Sequence, residues 1–234
     1  MHEDLLSDIA AAVRSERTLL VLPCCAQKAT RGTASPPPGS GVLDGLPSPL
    51  AAELRAARRR NAEAAGVDER HPLPAIDRYT GTLYQALGDA ARDRLGRGPA
   101  VILSGGYGLV EPTEPIGWYE QRLQPGRWPG GLLSRALAAY AEHHACDAVV
   151  ALVSATGPYP QIVRRARWPA TVATAWLVGP TDVGGGAMVK TPRALGEALE
   201  AACRSRLSSA WRSSDGVALD AMPLRSVGSG GRAG

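Results

Sequence analysis

The chain has 234 residues, enough for one substantial hydrophobic core. It shows no internal repeat and no apolar run long enough for a membrane span, and its acidic start, Met1-His-Glu-Asp-Leu5, lacks the basic-then-apolar pattern of a signal peptide. A cytoplasmic protein with no membrane partner is expected. The net charge of +4 is carried almost wholly by arginine, since Lys28 and Lys190 are the only two lysines. Arg55, Arg58, Arg59 and Arg60 form one basic group, and Arg164, Arg165 and Arg167 another. Such groups permit phosphate or nucleic-acid contact, although charge runs are commonly solvated helix faces.

Asp4 to Arg14 places Leu5, Leu6, Ile9 and Val13 at helical spacing. Thr18-Leu-Leu-Val-Leu22 is a continuous apolar run and reads as a buried strand. It opens into Pro23-Cys-Cys-Ala-Gln-Lys28, which sets thiols and a rare amine at a strand end. Partial burial there would lower the Lys28 pKa, and a nearby cation would favour a Cys24 thiolate. The four cysteines, Cys24, Cys25, Cys146 and Cys203, have neither C-x-x-C nor zinc-finger spacing, which argues against a structural metal site and a disulfide framework.

Residues 30–48 are rich in Gly, Pro, Ser and Thr and read as a flexible loop or lid. Pro49 to Ala65 predicts a long helix ended by Gly66. His71-Pro-Leu-Pro74 reads as a break, and Asp77-Arg-Tyr-Thr-Gly-Thr-Leu-Tyr84 as the entry to a helix reaching about Leu95. Ala100-Val-Ile-Leu103 predicts a second buried strand, running into Ser104-Gly105-Gly106-Tyr107. Glycines there can take positive φ and turn backbone N–H groups towards an anion. Tyr107, Glu111, Tyr119, Glu120 and Arg122 follow closely.

Trp128 to His144 predicts a helix, Asp147 to Val153 a third buried strand, and Ser154 to Tyr159 another small polar loop before the basic segment Gln161 to Arg167. A fourth strand is expected over Ala170 to Val178 and a closing helix over Pro192 to Ala210. The order predicts a single α/β domain over residues 1–212, with a largely parallel or mixed central sheet flanked by helices. Residues 213–234 read as a polar, disordered tail.

Leu103-Ser-Gly-Gly-Tyr-Gly-Leu-Val-Glu-Pro112, followed by Ile116 and Tyr119, resembles the Leu-Ser-Gly-x-Tyr-Gly signature of YaaA-type peroxide-stress proteins. Tyr79-Thr-Gly-Thr-Leu83 and Ser154 to Tyr159 with the basic segment after it resemble two further segments of that family. The early loop, Pro23-Cys-Cys-Ala-Gln-Lys28, is closer to the Pro-Cys-Ser-x-x-Lys motif of archaeosine-synthase-like tRNA-modifying enzymes. The resemblance implies an α/β fold with a positive cleft, DNA binding, and a role in limiting iron and oxidative damage. The thiol–lysine loop points instead to an enzyme acting on a nucleobase or nucleotide.

In the enzyme reading, Lys28 is nucleophile or general base beside Cys24, and Ser104 and Tyr107 join them at the reacting centre. Cys25, Tyr79, Gly105, Gly106, Tyr119, Arg122, Ser154 and Tyr159 would bind substrate. In the alternative, a non-enzymatic DNA-binding protein of the oxidative-stress response, Arg164, Arg165 and Arg167 would hold nucleic-acid phosphates. The sequence points to no particular cofactor. Lys28, Ser104 and Tyr159 are expected around one crevice, since each follows a buried run and such runs align in a parallel sheet.

Overall fold

The computed structural model describes residues 4–32, 41–181 and 183–226. In chain order they form α1 (Leu5–Arg14), β1 (Thr18–Pro23), α2 (Ser48–Ala65), β2 (Asp68–Pro74), α3 (Ala75–Arg78), α4 (Thr82–Gln85) and α5 (Asp89–Arg97). There follow β3 (Ala100–Ser104), β4 (Gly108–Val110), β5 (Pro115–Trp118), α6 (Leu132–His143), β6 (Ala148–Leu152), α7 (Pro158–Arg165), β7 (Thr174–Thr181), α8 (Ala187–Cys203) and β8 (Ala218–Ser226). Short 3₁₀ turns occupy Val42–Gly45, Pro125–Arg127 and Pro129–Gly131.

The α/β fold is as expected, with a mixed six-stranded sheet in the order β4-β3-β1-β6-β7-β8. β3, β1, β6 and β7 run parallel, while β4 and β8 pair antiparallel at the two edges. β2 and β5 make a separate two-stranded antiparallel pair. Strand alternation divides the core. Leu20, Leu22, Ile102 and Val150 face α1, α5 and α8, whereas Leu19, Val21, Val101 and Val149 face α2, α6 and α7. All eight are fully buried, each removing about 1.5–3 kcal/mol worth of apolar surface from water. No helix among the described residues is long and apolar enough to cross a membrane.

Several expected boundaries move. The tail beginning at Ser213 contains β8, paired with β7 from Thr181↔Ala218 to Thr174↔Ser226. Its apolar residues Leu219 and Ala221 pack into the core, which polar composition concealed. Residues 227–234 lie outside the described residues, as do 33–40 of the expected loop; the rest of that loop includes the Val42–Gly45 turn. His71-Pro-Leu-Pro74 belongs to β2, because the two-stranded pair needs few ladder bonds and Pro74 sits at its end. The single helix expected up to Leu95 is two short ones, α4 and α5, interrupted at Ala86–Gly88, and a further short helix, α3, precedes them. The closing helix runs over Ala187–Cys203, with Pro192 inside it, and the fourth strand starts at Thr174.

Candidate functional site at the strand ends

Because β1, β3, β6 and β7 are parallel, their carboxyl ends meet at one edge of the sheet. The chain leaves β1 and lays β3 on one side of it and β6 on the other, so the loops after β1 and β6 flank a topological switch point. The β1 loop is held rigidly there. Cys24 N–H donates to the Leu103 carbonyl (3.0 Å), Ala29 N–H to Arg78 O (2.9 Å), and Thr80 N–H to Gln27 O (3.1 Å). The Tyr84 hydroxyl donates to the Pro23 carbonyl at 2.8 Å.

Lys28 is half-buried over aromatic rings. Its Nζ donates to the carbonyls of Cys25 (3.1 Å) and Ala26 (3.3 Å) and stands 4.1 Å from the ring centroid of Tyr119 and 5.9 Å from that of Tyr79. Burial pushes its pKa below the ordinary lysine value, offset in part by the neighbouring thiols.

Beneath Lys28 lies a closed set of hydroxyls. Tyr79 OH and Tyr119 OH are 2.7 Å apart, and both reach Ser104 Oγ, at 3.1 and 2.9 Å. The Tyr107 backbone N–H donates to the same Ser104 oxygen at 3.1 Å. Burial raises both phenols well above their ordinary range, so they are neutral donors at physiological pH. Ser104 is wholly buried beneath Tyr79 and Tyr119, so it does not border a crevice as expected.

The expected anion cradle at Gly105-Gly106 does not form in that way. Neither glycine has positive φ. Their carbonyls accept from Asn61 Nδ2 at 2.9 and 2.7 Å, and the Gly105 carbonyl also accepts from Gln121 Nε2 at 3.0 Å. A Cβ at Gly105 would stand 2.1 Å from the Gln121 carbonyl, and one at Gly106 2.9 Å from the Tyr119 ring. Close packing against the segment that carries Tyr119 therefore demands these glycines.

On the β6 side, Cys24 Sγ is 3.4 Å from the Tyr159 hydroxyl, bridging the switch point. Cys25 turns the other way, accepting from Gly81 N–H at 3.2 Å and donating to Gln27 O at 2.9 Å, and burial raises its thiol pKa. Ser154 Oγ closes its own loop by donating to the Thr156 carbonyl. Lys28, Cys24, Tyr79, Ser104, Tyr119 and Tyr159 are thus brought together. The hydroxyl of Tyr107 turns away, accepting from Gly117 N–H (2.8 Å) and donating to Glu69 (3.2 Å), although its ring meets that of Tyr119 edge-on with centroids 5.8 Å apart; Arg122 is exposed.

The basic group at the end of α7 divides: Arg164 Nη2 lies 3.6 Å from Met222 Sδ on β8, while Arg165 and Arg167, the latter just past the helix, border two clefts beside α6. Of the other basic group, Arg58 is an internal brace. It pairs with Glu114 at 2.7 Å and donates to the carbonyls of Tyr107 and Leu109. Arg78, next to Tyr79, is wholly buried and donates to the carbonyls of Ala29, His71 and Ile116, tying the Lys28 loop to β2 and β5. In so arginine-rich a chain, nothing in the sequence singles out Arg58 or Arg78. Among the described residues, no group of three or more His, Cys, Asp or Glu could hold a metal ion. No protein-family model matches the chain, and comparison with curated proteins likewise gives no match.

Proposed function

We propose that the chain is an enzyme acting on a nucleobase or nucleotide-like substrate, with Lys28 as its amine nucleophile or general base. The observation that carries this reading is the placement of Lys28: desolvated, fixed by two carbonyls above Tyr119, and set at the switch point of a parallel sheet. Cys24 adds a thiol at the same strand end, 3.4 Å from the Tyr159 hydroxyl. The resemblance of the Lys28 loop to that of archaeosine-synthase-like tRNA-modifying enzymes supplies the substrate class. All four cysteines are free, which fits the cytoplasmic setting this proposal assumes.

Arginine is always protonated and cannot replace a lysine base or nucleophile. In a turnover screen of nucleobases, nucleosides and nucleotides, Lys28→Arg should lose activity as completely as Lys28→Ala, by roughly 10²–10⁴. Near-normal turnover in Lys28→Arg would remove the amine from the chemistry.

A second reading, nucleic-acid binding without turnover, is favoured by Arg165 and Arg167, which stand exposed beside the α6 clefts. It requires affinity that falls steeply with salt, and a slope that flattens by about 0.9 for each phosphate contact removed by substitution. Salt-independent binding excludes it.

A further inference from the structure

Arg78 is wholly buried on α3, and each of its three side-chain nitrogens is committed to a backbone carbonyl. Nη1 donates to Ala29, Nη2 to His71 on β2, and Nε to Ile116 on β5. The Arg78 carbonyl in turn accepts from Ala29 N–H at 2.9 Å, so Arg78 holds both polar groups of the residue that follows Lys28. Its neighbours continue the contact: Tyr79 forms a β-bridge with Lys28, and Thr80 N–H donates to Gln27 O. No described Asp or Glu pairs with Arg78; Asp68 on β2 pairs with Arg70 at 2.6 Å instead. Burial lowers the Arg78 pKa, yet a guanidinium starts so high that it stays charged.

Lys28 meets opposing influences. Burial, the largest, disfavours its ammonium form, and the Arg78 charge acts in the same sense. Cys24 and Cys25 on its own loop and Glu120 after β5 favour the ammonium, while Tyr79 and Tyr119 are neutral phenols. The burial itself depends on the loop lying down on Tyr119, and the bonds from Arg78 to Ala29 help to hold it there. Arg78 therefore bears on the amine twice, through position and through charge, and both effects have one sign.

We propose that Arg78 is the positioning residue of the Lys28 site: its grip on Ala29 keeps the amine over Tyr119, and its charge, matched by no carboxylate, discourages a second cation beside it. A lysine kept in this way is available as a base or nucleophile nearer neutral pH than a solvated one. Arg94 offers the comparison. It clamps the carbonyls of Val13, Ser15 and Thr18 in the same manner, but at the amino end of β1, away from Lys28. That the amine does chemistry rests on the function proposed above; its control by Arg78 does not.

The test uses the full chain labelled with ¹³C,¹⁵N-lysine, in which Lys28 and Lys190 give the only two lysine signals, assigned through Lys190→Arg. The Lys28 Nζ and Cε shifts are followed against pH. In the native chain Lys28 should titrate below 10.5. In Arg78→Gln, which keeps a donor but no charge, its midpoint should rise by about one pH unit. Arg78→Lys keeps the charge without the three-way grip and should raise it less. Arg94→Gln should lower the thermal unfolding midpoint and leave the Lys28 titration in place. A Lys28 midpoint that is unmoved in Arg78→Gln, or that moves as far in Arg94→Gln, overturns the proposal. If only Arg78→Lys folds, a midpoint equal to the native one overturns it; if neither Arg78 variant folds, Arg78 serves the fold alone and the proposal fails. Normal turnover in Lys28→Arg would remove the amine from the chemistry without altering this titration, so the two ideas fail separately.

Discussion

The Nζ of Lys28 lies 4.1 Å from the centroid of the Tyr119 ring, and the hydroxyl of that ring is bonded to both Tyr79 and Ser104. Amine and phenol are therefore coupled through one rigid aromatic plate, which carries Lys28 above the sheet and seals Ser104 below it. Ring and hydroxyl can be tested separately. Tyr119→Phe keeps the plate and leaves Tyr79 and Ser104 bonded to each other, so it should cost about 1 kcal/mol in urea unfolding. Tyr119→Ala removes the plate and opens a cavity, and should cost about 3–5 kcal/mol. Equal losses in the two variants would show that the hydroxyl, rather than the ring, does the supporting.

Lys28 should leave a signature in the dependence of stability on pH. Its folded pKa lies below the ordinary value of 10.5, so between the two the unfolded chain binds more protons than the folded one. The Lys28 contribution to stability therefore rises with pH through that window. Tyr79 and Tyr119, whose folded pKa values are raised above 10.0, work in the opposite sense at higher pH, where only the unfolded phenols ionise. Comparison with Lys28→Met isolates the lysine: the stability of the native chain relative to the variant should increase as pH rises towards 10.5. A flat difference would mean that Lys28 stays hydrated and protonated.

Arg58 and Glu114 form a nearly buried pair, with side chains 13% and 9% exposed, and Glu114 also accepts from the N–H groups of Val42 and Glu111. Arg58→Met should destabilise by about 3–5 kcal/mol, because it strands a buried carboxylate and frees the carbonyls of Tyr107 and Leu109. Adding Glu114→Gln should recover part of that loss. Thermal unfolding of both variants checks this, and an unchanged midpoint for Arg58→Met would return Arg58 to the solvated face its sequence context suggests.

Continuous apolar runs made β1, β3 and β6 legible in the sequence, because strands buried on both faces need no alternation and stop where small polar residues begin. The parallel order of those runs was enough to bring Lys28, Ser104 and Tyr159 to one edge. β8 was hidden, since an antiparallel edge strand mixing Asp220, Pro223 and Arg225 with apolar residues looks like a polar tail until β7 lies beside it. Only the tertiary structure could show that Gly105 and Gly106 serve close approach rather than positive φ. The atoms that crowd them belong to Gln121 and Tyr119, more than ten residues away. The same holds for Arg58 and Arg78: a guanidinium is buried or solvated according to the carbonyls that converge on it. Those carbonyls come from segments whose meeting is decided by packing, not by spacing along the chain.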